Sequence, residues 1–485
     1  MRRISALLAC SLLVIIFTWK QPSAEVVRVR YNKNSPTLGI QEAVDSLSGK
    51  GGTVFVPAGR YILRCPVFLD ASHSNLTITG EGEATILETD AYEYRLNLVA
   101  DGKTGQKHIL VDDTSFVKIG DGLYIYENGN DFGAGTVVRV TGIHGKLLAL
   151  NSPLIDTYNV KNQAIARHIF NVFCAHGVVN LTIRNLKCLG NLRRTFTTSS
   201  WVGNSVFFLD GANITIREVT VQDSPADGIY IGGHNGVKVV DCRLENIAQR
   251  GIHLAGHRGQ QRMGGTVSGN IISKVGDYGI YLCDNCRGLV LKGNRIFDTG
   301  FYEGPAGRIT HTEEIPPADM ARTGLLKNLL PACTRPAGIG GLGAGGDADN
   351  LIAENIIYRI KGSGIAFQRW VTENQPGRNM VIIGNNIFNV TGPGIFVYGG
   401  SGILVSGNTI SRSGTGLTIK ASSYCYIQGN FINQAGAGIQ IYSFQSWVEK
   451  NIISHNSILD CPKAIVKAGQ VRNNIVKDNY FLRSE

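Results

Sequence analysis

The sequence predicts an all-β solenoid in which short strands stack coil upon coil, and three observations predict it. The chain has 485 residues, of which 60 are Gly and only 17% are charged, a balance that suits turn-rich β structure. From about Val172 one pattern recurs: apolar–x–Gly–Asn–x–Ile, roughly nine residues, then Gly–Ile–x–apolar. The period, mostly 21 to 24 residues, fits no helical repeat but fits short strands separated by turns. One such coil cannot bury its apolar face alone, whereas stacked coils bury a continuous core.

Taken in chain order, residues 1–24 read as a signal peptide. Arg2 and Arg3 precede an apolar run from Ile4 to Trp19, and Ala24 offers a small residue for cleavage. An uncleaved N-terminal anchor is the alternative, and "LLAC" ending at Cys10 lies too close to Arg3 for a lipoprotein box. The expected location is therefore secreted or periplasmic. No later apolar run is long enough to span a membrane. The full chain carries 47 basic and 37 acidic residues, net +10, and loss of Arg2, Arg3 and Lys20 with the leader leaves a basic excess. That excess suits an anionic partner, whether an acidic polysaccharide, a nucleic acid or an anionic surface, and equally suits a solvated surface with no such partner.

Residues 25–485 read as a single domain. Within it, Phe116–Leu154 alternates as hairpin strands, so an inserted β-subdomain is expected over about 105–160. In the coils that follow, the Asn-type positions are Asn270, Asn294, Asn355, Asn385, Asn408, Asn430 and Asn451, with Cys242 and Val219 in the same register. The glycines that open the next strand are Gly228, Gly251, Gly279, Gly364, Gly394, Gly416 and Gly438. Asn at a fixed turn tolerates left-handed geometry and can bond its neighbour one coil away, which predicts a ladder. The sequons at Asn75, Asn180 and Asn213 fall at strand starts and read as structure.

These repeats, with "GIQEAVDSLSGKGGTVFVPAGRYIL" from Gly39 to Leu63, resemble the pectate lyase superfamily. That resemblance implies a right-handed parallel β-helix, its first coil capped by an amphipathic helix. The superfamily includes polysaccharide lyases, uronan C5-epimerases, glycoside hydrolases and phage tailspikes, which implies an anionic polysaccharide rather than a nucleic acid as partner, while the reaction itself has to be argued from the site.

Strand alternation turns Ile229 and Ile231 inward and Tyr230 outward. The same register points His253, Tyr281, Ala366, Phe396, Thr418 and Gln440 outward, stacked in one column whose polar end is Tyr230, His253 and Tyr281. The loops lengthen beside that end, after Gly251 ("AGHRGQQRMGG"), after Gly364 ("QRWVTENQPGR") and at about 302–337. The last insertion carries His311, Glu313, Glu314, Asp319, Arg322, Lys327 and Arg335. Irregularity concentrated in an otherwise regular repeat marks a site. A ligand groove is expected there, with substrate contacts from His257, Arg258, Asp277, Asp284, Arg369, Trp370, Glu373, Arg378 and Tyr398.

"GIGGLGAGG" contains a literal G-x-G-x-x-G, but it lies in a β coil and precedes a strand, which argues against a dinucleotide site. The next Gly–Ile strand is placed at Gly338–Ile339, so that Gly340 leaves the column bare beside Tyr281. Ten cysteines include Cys10. Most read as small buried residues, with a Cys283–Cys286 bridge as an option. No cofactor is expected: calcium would need an acidic ligand cluster, and none stands out.

Three functions fit. Elimination or C5-epimerisation of a uronan needs a cation on the carboxylate and a base and acid flanking the ring. Arg250 supplies the first, His253 the base, and Tyr230 or Tyr281 the acid, while Asp227 orients Arg250 or His253. This set resembles in kind that of alginate epimerases and lyases, although their contiguous Asp-Pro-His is absent. Glycoside hydrolysis would use paired carboxylates, such as Asp227 with Asp277. "SPADGIYIGG" resembles a polygalacturonase segment, but Tyr230 stands where the second acid belongs. The third reading is a non-catalytic glycan binder with Trp370, Tyr398 and Phe396 stacking on sugars.

Overall fold

The computed structural model describes residues 25–89, 94–127, 135–169, 171–190, 205–233, 235–256, 264–283, 286–300, 302–304, 307–309, 340–345, 348–368, 377–443 and 448–482. It is a right-handed parallel β-helix of about 14 turns. Its strands form one 32-stranded parallel network. Each regular coil gives one short strand to each of three stacked ribbons. One runs Thr215, Lys238, Thr266, Val290, Leu351; the second runs Thr220, Arg243, Ile271, Arg295, Ile356. The third is the expected outward column.

The core follows from alternation along each strand. Ile229, Ile231, Ile252, Leu254, Ile280 and Leu282 have no exposed surface, and the stack continues through Ile365, Ile395, Leu417 and Ile439. Each such side chain contributes about 2–3 kcal/mol on burial. The repeating glycine before this strand is needed because the coils approach closely. A Cβ at Gly251 would lie 2.5 Å from the Gly279 carbonyl oxygen, and one at Gly364 would lie 2.6 Å from that of Gly394.

The asparagine ladder is present. Its Nδ2-to-Oδ1 bonds link Asn270, Asn294, Asn355, Asn385, Asn408 and Asn430, each at 2.9 Å. Two details differ from the expected pattern. Beyond Asn430 the ladder passes to Asn456 and Asn479, while Asn451 belongs to a second ladder with Asn474. The left-handed conformation falls not on the ladder Asn but on the residue before it: Gly269, Gly293, Glu354, Gly384, Gly407, Gly429, His455 and Asp478 all have φ between 53° and 67°. This is the physical meaning of the Gly-Asn pair, glycine making the turn and asparagine making the bond. Asn75, Asn180 and Asn213 form a separate short ladder with bonds of 2.7 and 2.9 Å.

The helix Ile40–Ser46 buries Ile40 and Val44 over the first coils. Between the strands Leu76–Thr89 and Phe173–Leu189, which pair directly, the chain leaves the rod to form a six-stranded antiparallel sheet. This sheet runs from Arg95 to His168, wider than 105–160, because Arg95–Asn97 pairs with Ala164–His168. It has its own core around Leu123, Ile125, Val138 and Leu148. Its Tyr124 and Tyr126 pack with Ile169 on Phe68, Cys174 and Phe208 of the rod.

Candidate active site

The outward column stacks as the alternation requires. Cys174, Phe208, Tyr230, His253 and Tyr281 are successive partners, followed by Gly343, Ala366, Phe396, Thr418 and Gln440. Gly343 therefore takes the place expected of Gly340, which pairs with Tyr278 instead. Leu342 decides this register by pairing with the inward residues Ile280 and Ile365. The column is turned away from the rod's core but is not exposed. His253 is 2% accessible, Tyr281 8%, Ala366 1% and Thr418 2%.

The residues around His253 form a buried ionic cluster. Asp227 closes the turn before the strand Ile229–Gly233 and has no exposed surface. Its Oδ1 accepts from the Arg250 backbone N–H at 3.1 Å, and its Oδ2 lies 2.7 Å from His253 Nδ1. Burial works to raise its pKa, but His253 and Arg250 outweigh burial and hold the carboxyl below its ordinary value. An ionised carboxylate at that distance accepts from Nδ1–H, which leaves Nε2 as the ring nitrogen directed away from the carboxylate.

Arg250 lies between two acids, 3.8 Å from Asp227 Oδ2 and 3.4 Å from Asp277 Oδ2, with its guanidinium carbon 4.8 Å from the Tyr281 ring centroid. Burial opposes its charge, yet Asp227 and Asp277 raise its pKa and keep it cationic. Asp277 behaves differently. Burial raises its pKa to about 7 against the pull of Arg250, and Asp227 adds to the rise. Burial likewise pushes the Tyr281 phenol well above its ordinary range, so it is a proton donor. Tyr230 stacks on Phe208 at 4.9 Å and meets the His253 ring edge-on at 4.9 Å.

Asp227, Tyr230, Arg250, His253, Asp277 and Tyr281 are thus brought together. Tyr398 packs at the far side of a patch made by Tyr278, Tyr281, Ala366 and Phe396, with Lys420 Nζ 4.6 Å from its ring centroid. Arg378 is exposed at an isolated bridge between Ala348 and Ser401, on a different ribbon. His234, His257, Arg258, Asp284, Arg369, Trp370 and Glu373 lie outside the described residues, as does 310–339 of the long insertion.

Three neighbours escaped the sequence reading. Tyr278 stacks near Tyr281 with centroids 5.1 Å apart, and His176 lies 3.8 Å from Asp210 beside Phe208. The third is Cys283, whose Sγ is 3.2 Å from His253 Nε2. Alternation on the strand Tyr278–Cys283 signals it, since Cys283 follows Tyr281 by two residues and faces the same way. Cys283 and Cys286 are both thiols, not a bridge. Cys286 turns inward, its Sγ 3.4 Å from the Leu254 carbonyl, and is fully buried.

Fold and site together define a right-handed β-helix protein with a charged, largely buried cluster on its outer face. Comparisons with known proteins agree on the rod. Residues 155–311 match a family described as a right-handed β-helix region, and residues 347–485 match one described as periplasmic copper-binding protein (NosD). No curated protein matches by sequence. Among solved structures, the mannuronan C-5 epimerase AlgE6 A-module of Azotobacter vinelandii is 14% identical, with a TM-score of 0.51, covering 92% of this chain and 94% of that one. The periplasmic alginate epimerase AlgG is 11% identical with a TM-score of 0.52, covering 87% and 78%. The Dettilon tailspike protein is 15% identical with a TM-score of 0.51, covering 92% and 70%. At such identities these likenesses concern the fold. Among the described residues, no helix is long and apolar enough to cross a membrane. Nor, among them, does any group of three or more His, Cys, Asp or Glu side chains have an arrangement fit to hold a metal ion, and Cys425 and Cys461 within the NosD-like segment are buried. The copper in that family's description therefore has no evident ligand set among them.

Proposed function

We propose that this protein is a carbohydrate-active enzyme acting on an anionic, uronic acid polysaccharide by removing the C5 proton, with epimerisation or elimination as the outcome. The observation that carries this is Arg250, a nearly buried cation held beside an imidazole whose Nδ1 is fixed by an ionised carboxylate. Abstraction of a proton next to a carboxylate is unfavourable unless the developing charge is neutralised. Arg250 is suited to that task, and protonation of Asp277 near neutral pH frees it from one of its two acids. His253 Nε2 is the base, and the Tyr281 hydroxyl supplies a proton to the carbanion for epimerisation or to the departing oxygen for elimination. Asp227 keeps the imidazole in the required tautomer. Two of the three similar rods reported above are alginate or mannuronan epimerases, which accords with this reading.

Hydrolysis by Asp227 and Asp277 is less well supported. Both carboxylates are engaged by the same guanidinium, and Asp227 is also bonded to His253, which commits them to ion pairs rather than to attack on a sugar. The deciding experiment incubates the protein in deuterium oxide with polymannuronate, polyguluronate, polygalacturonate and neutral glucans. Solvent deuterium at C5 without cleavage marks epimerisation, and new ultraviolet absorbance marks elimination. New reducing ends without absorbance would favour the hydrolase. No change with any polymer would leave the binder reading ahead.

A further inference from the structure

Eight cysteines fall among the described residues, and seven of them are buried. Burial pushes the thiols of Cys65 and Cys242 up to about 12 and that of Cys425 to about 11, which makes them inert structural side chains. Cys283 alone of the eight is partly open, and it faces the site. Its Sγ lies 3.2 Å from His253 Nε2, while His253 Nδ1 lies 2.7 Å from Asp227 Oδ2. Three successive coils thus supply a carboxylate, an imidazole and a thiol in hydrogen-bond sequence. This is the arrangement that activates a thiol: the base takes the sulfur's proton, and a third group orients the base.

We propose that Cys283 is an activated nucleophilic thiol, a covalent modification site for soft carbon electrophiles and peroxides. With an alkyl halide, the S–C bond forms as the C–halogen bond breaks, halide leaves with the electron pair, and the thiol proton passes to His253 Nε2. With hydrogen peroxide, the sulfur attacks one oxygen and the O–O bond breaks. The thiol is oxidised to a sulfenic acid, and peroxide is reduced to water using the thiol proton. Cys286 turns to the other side of the strand and does not offer a disulfide partner on this face. Either product blocks His253 Nε2, so modification at Cys283 also silences the base. The thiol's reactivity stands whether or not the site acts on a uronan, because it is read on the protein itself.

The test treats the folded protein at neutral pH with limiting iodoacetamide and follows each cysteine by peptide mass spectrometry. Cys283 is expected to be carbamidomethylated at least tenfold faster in the wild type than in His253→Gln or Asp227→Asn. Cys242 and Cys425 serve as internal reporters of folding and stay unlabelled in every sample that counts. Their labelling in one variant leaves the other to decide, and the wild-type comparison of Cys283 with Cys242 needs no variant. Equal rates at Cys283 in wild type and His253→Gln would overturn the proposal, as would a wild-type rate no faster than at Cys242. In the peroxide arm, a single added oxygen at Cys283, trapped by dimedone and absent from Cys283→Ser, is expected. Failure of dimedone trapping would overturn the peroxide step, while loss of uronan activity alone would bear only on the proposed function.

Discussion

Two sets of buried polar side chains run through this rod, and they obey opposite rules. In the asparagine ladder every amide is neutral, recurs once per coil and donates to its neighbour at 2.9 Å and to a backbone carbonyl at about the same distance. In the cluster of Asp227, Arg250, His253 and Asp277 the groups are ionisable, do not recur from coil to coil among the described residues, and leave one carboxyl with its pKa near 7. A repeated, satisfied buried polar group stabilises a structure; a singular cluster of opposed charges with a displaced pKa is the kind of arrangement catalysis uses, which is the role proposed above for this one. Within one repeat protein, periodicity itself separates the two.

The comparison is tested most strongly by removing the base. His253→Ala is expected to lower uronan turnover per folded molecule on the order of 10³-fold, the usual worth of a general base, with the circular dichroism spectrum retained and about 1–3 kcal/mol lost in urea unfolding because the buried Asp227 Oδ2 loses its donor. The ladder should respond in the reverse sense. Asn355→Ala deprives the Asn294 N–H and Nδ2 of their acceptor and Leu291 of a donor. A loss of about 3 kcal/mol in urea unfolding is expected, since each orphaned buried group costs about 1–3 kcal/mol, with turnover per folded molecule retained. If Asn355→Ala abolished activity without unfolding, the division between the two sets would fail.

A smaller effect is expected from Asp277. Its folded pKa of about 7 lies above the ordinary 3.8. Its contribution to stability is therefore complete below about pH 4 and lost as pH rises through about 7. D277N should flatten the fall of Tm between those values and remove an inflection near pH 7 from kcat/KM. An inflection that persists in D277N would assign it to another group. The smallest effect belongs to the ladder's turns. At Gly293, φ is 65° and nothing lies within 4 Å of an added Cβ, while Glu354 holds the same conformation one coil later. Gly293→Asn should cost under about 1 kcal/mol, because Asn tolerates the left-handed region. A larger shift in the urea midpoint would mean the turn is constrained by more than its dihedral angle.

Much of this was legible in the sequence, for a definite reason. A repeat states its register many times, so Tyr230, His253 and Tyr281 could be aligned without knowing the structure. The same logic failed where the repeat is ambiguous. Asn451 and Asn456 are 21 and 26 residues beyond Asn430, both tolerable spacings, and only hydrogen bonding separates their ladders. In "GIGGLGAGG" the glycines give no register, and Leu342 alone fixes it. Burial of the column was not legible either, because alternation says which way a side chain points and not what lies over it. Cys283 was missed because a C-x-x-C invites a bridge, although alternation turns one sulfur outward and the other inward.

The six-stranded sheet also bears on how this rod assembles. Beyond it, neighbouring rungs are mostly some 22 to 30 residues apart in the chain, whereas Asn75 and Asn180 meet across 105. Closing the longer loop costs only about 1 kcal/mol more by the logarithmic law for a flexible chain, but it delays contact formation, which slows with sequence separation. Stacking should therefore start in the regular coils after Phe207 and propagate along them, the antiparallel sheet condensing on its own core. The helix-capped first coils would dock last, which makes that junction the natural rate-limiting step in completing the rod.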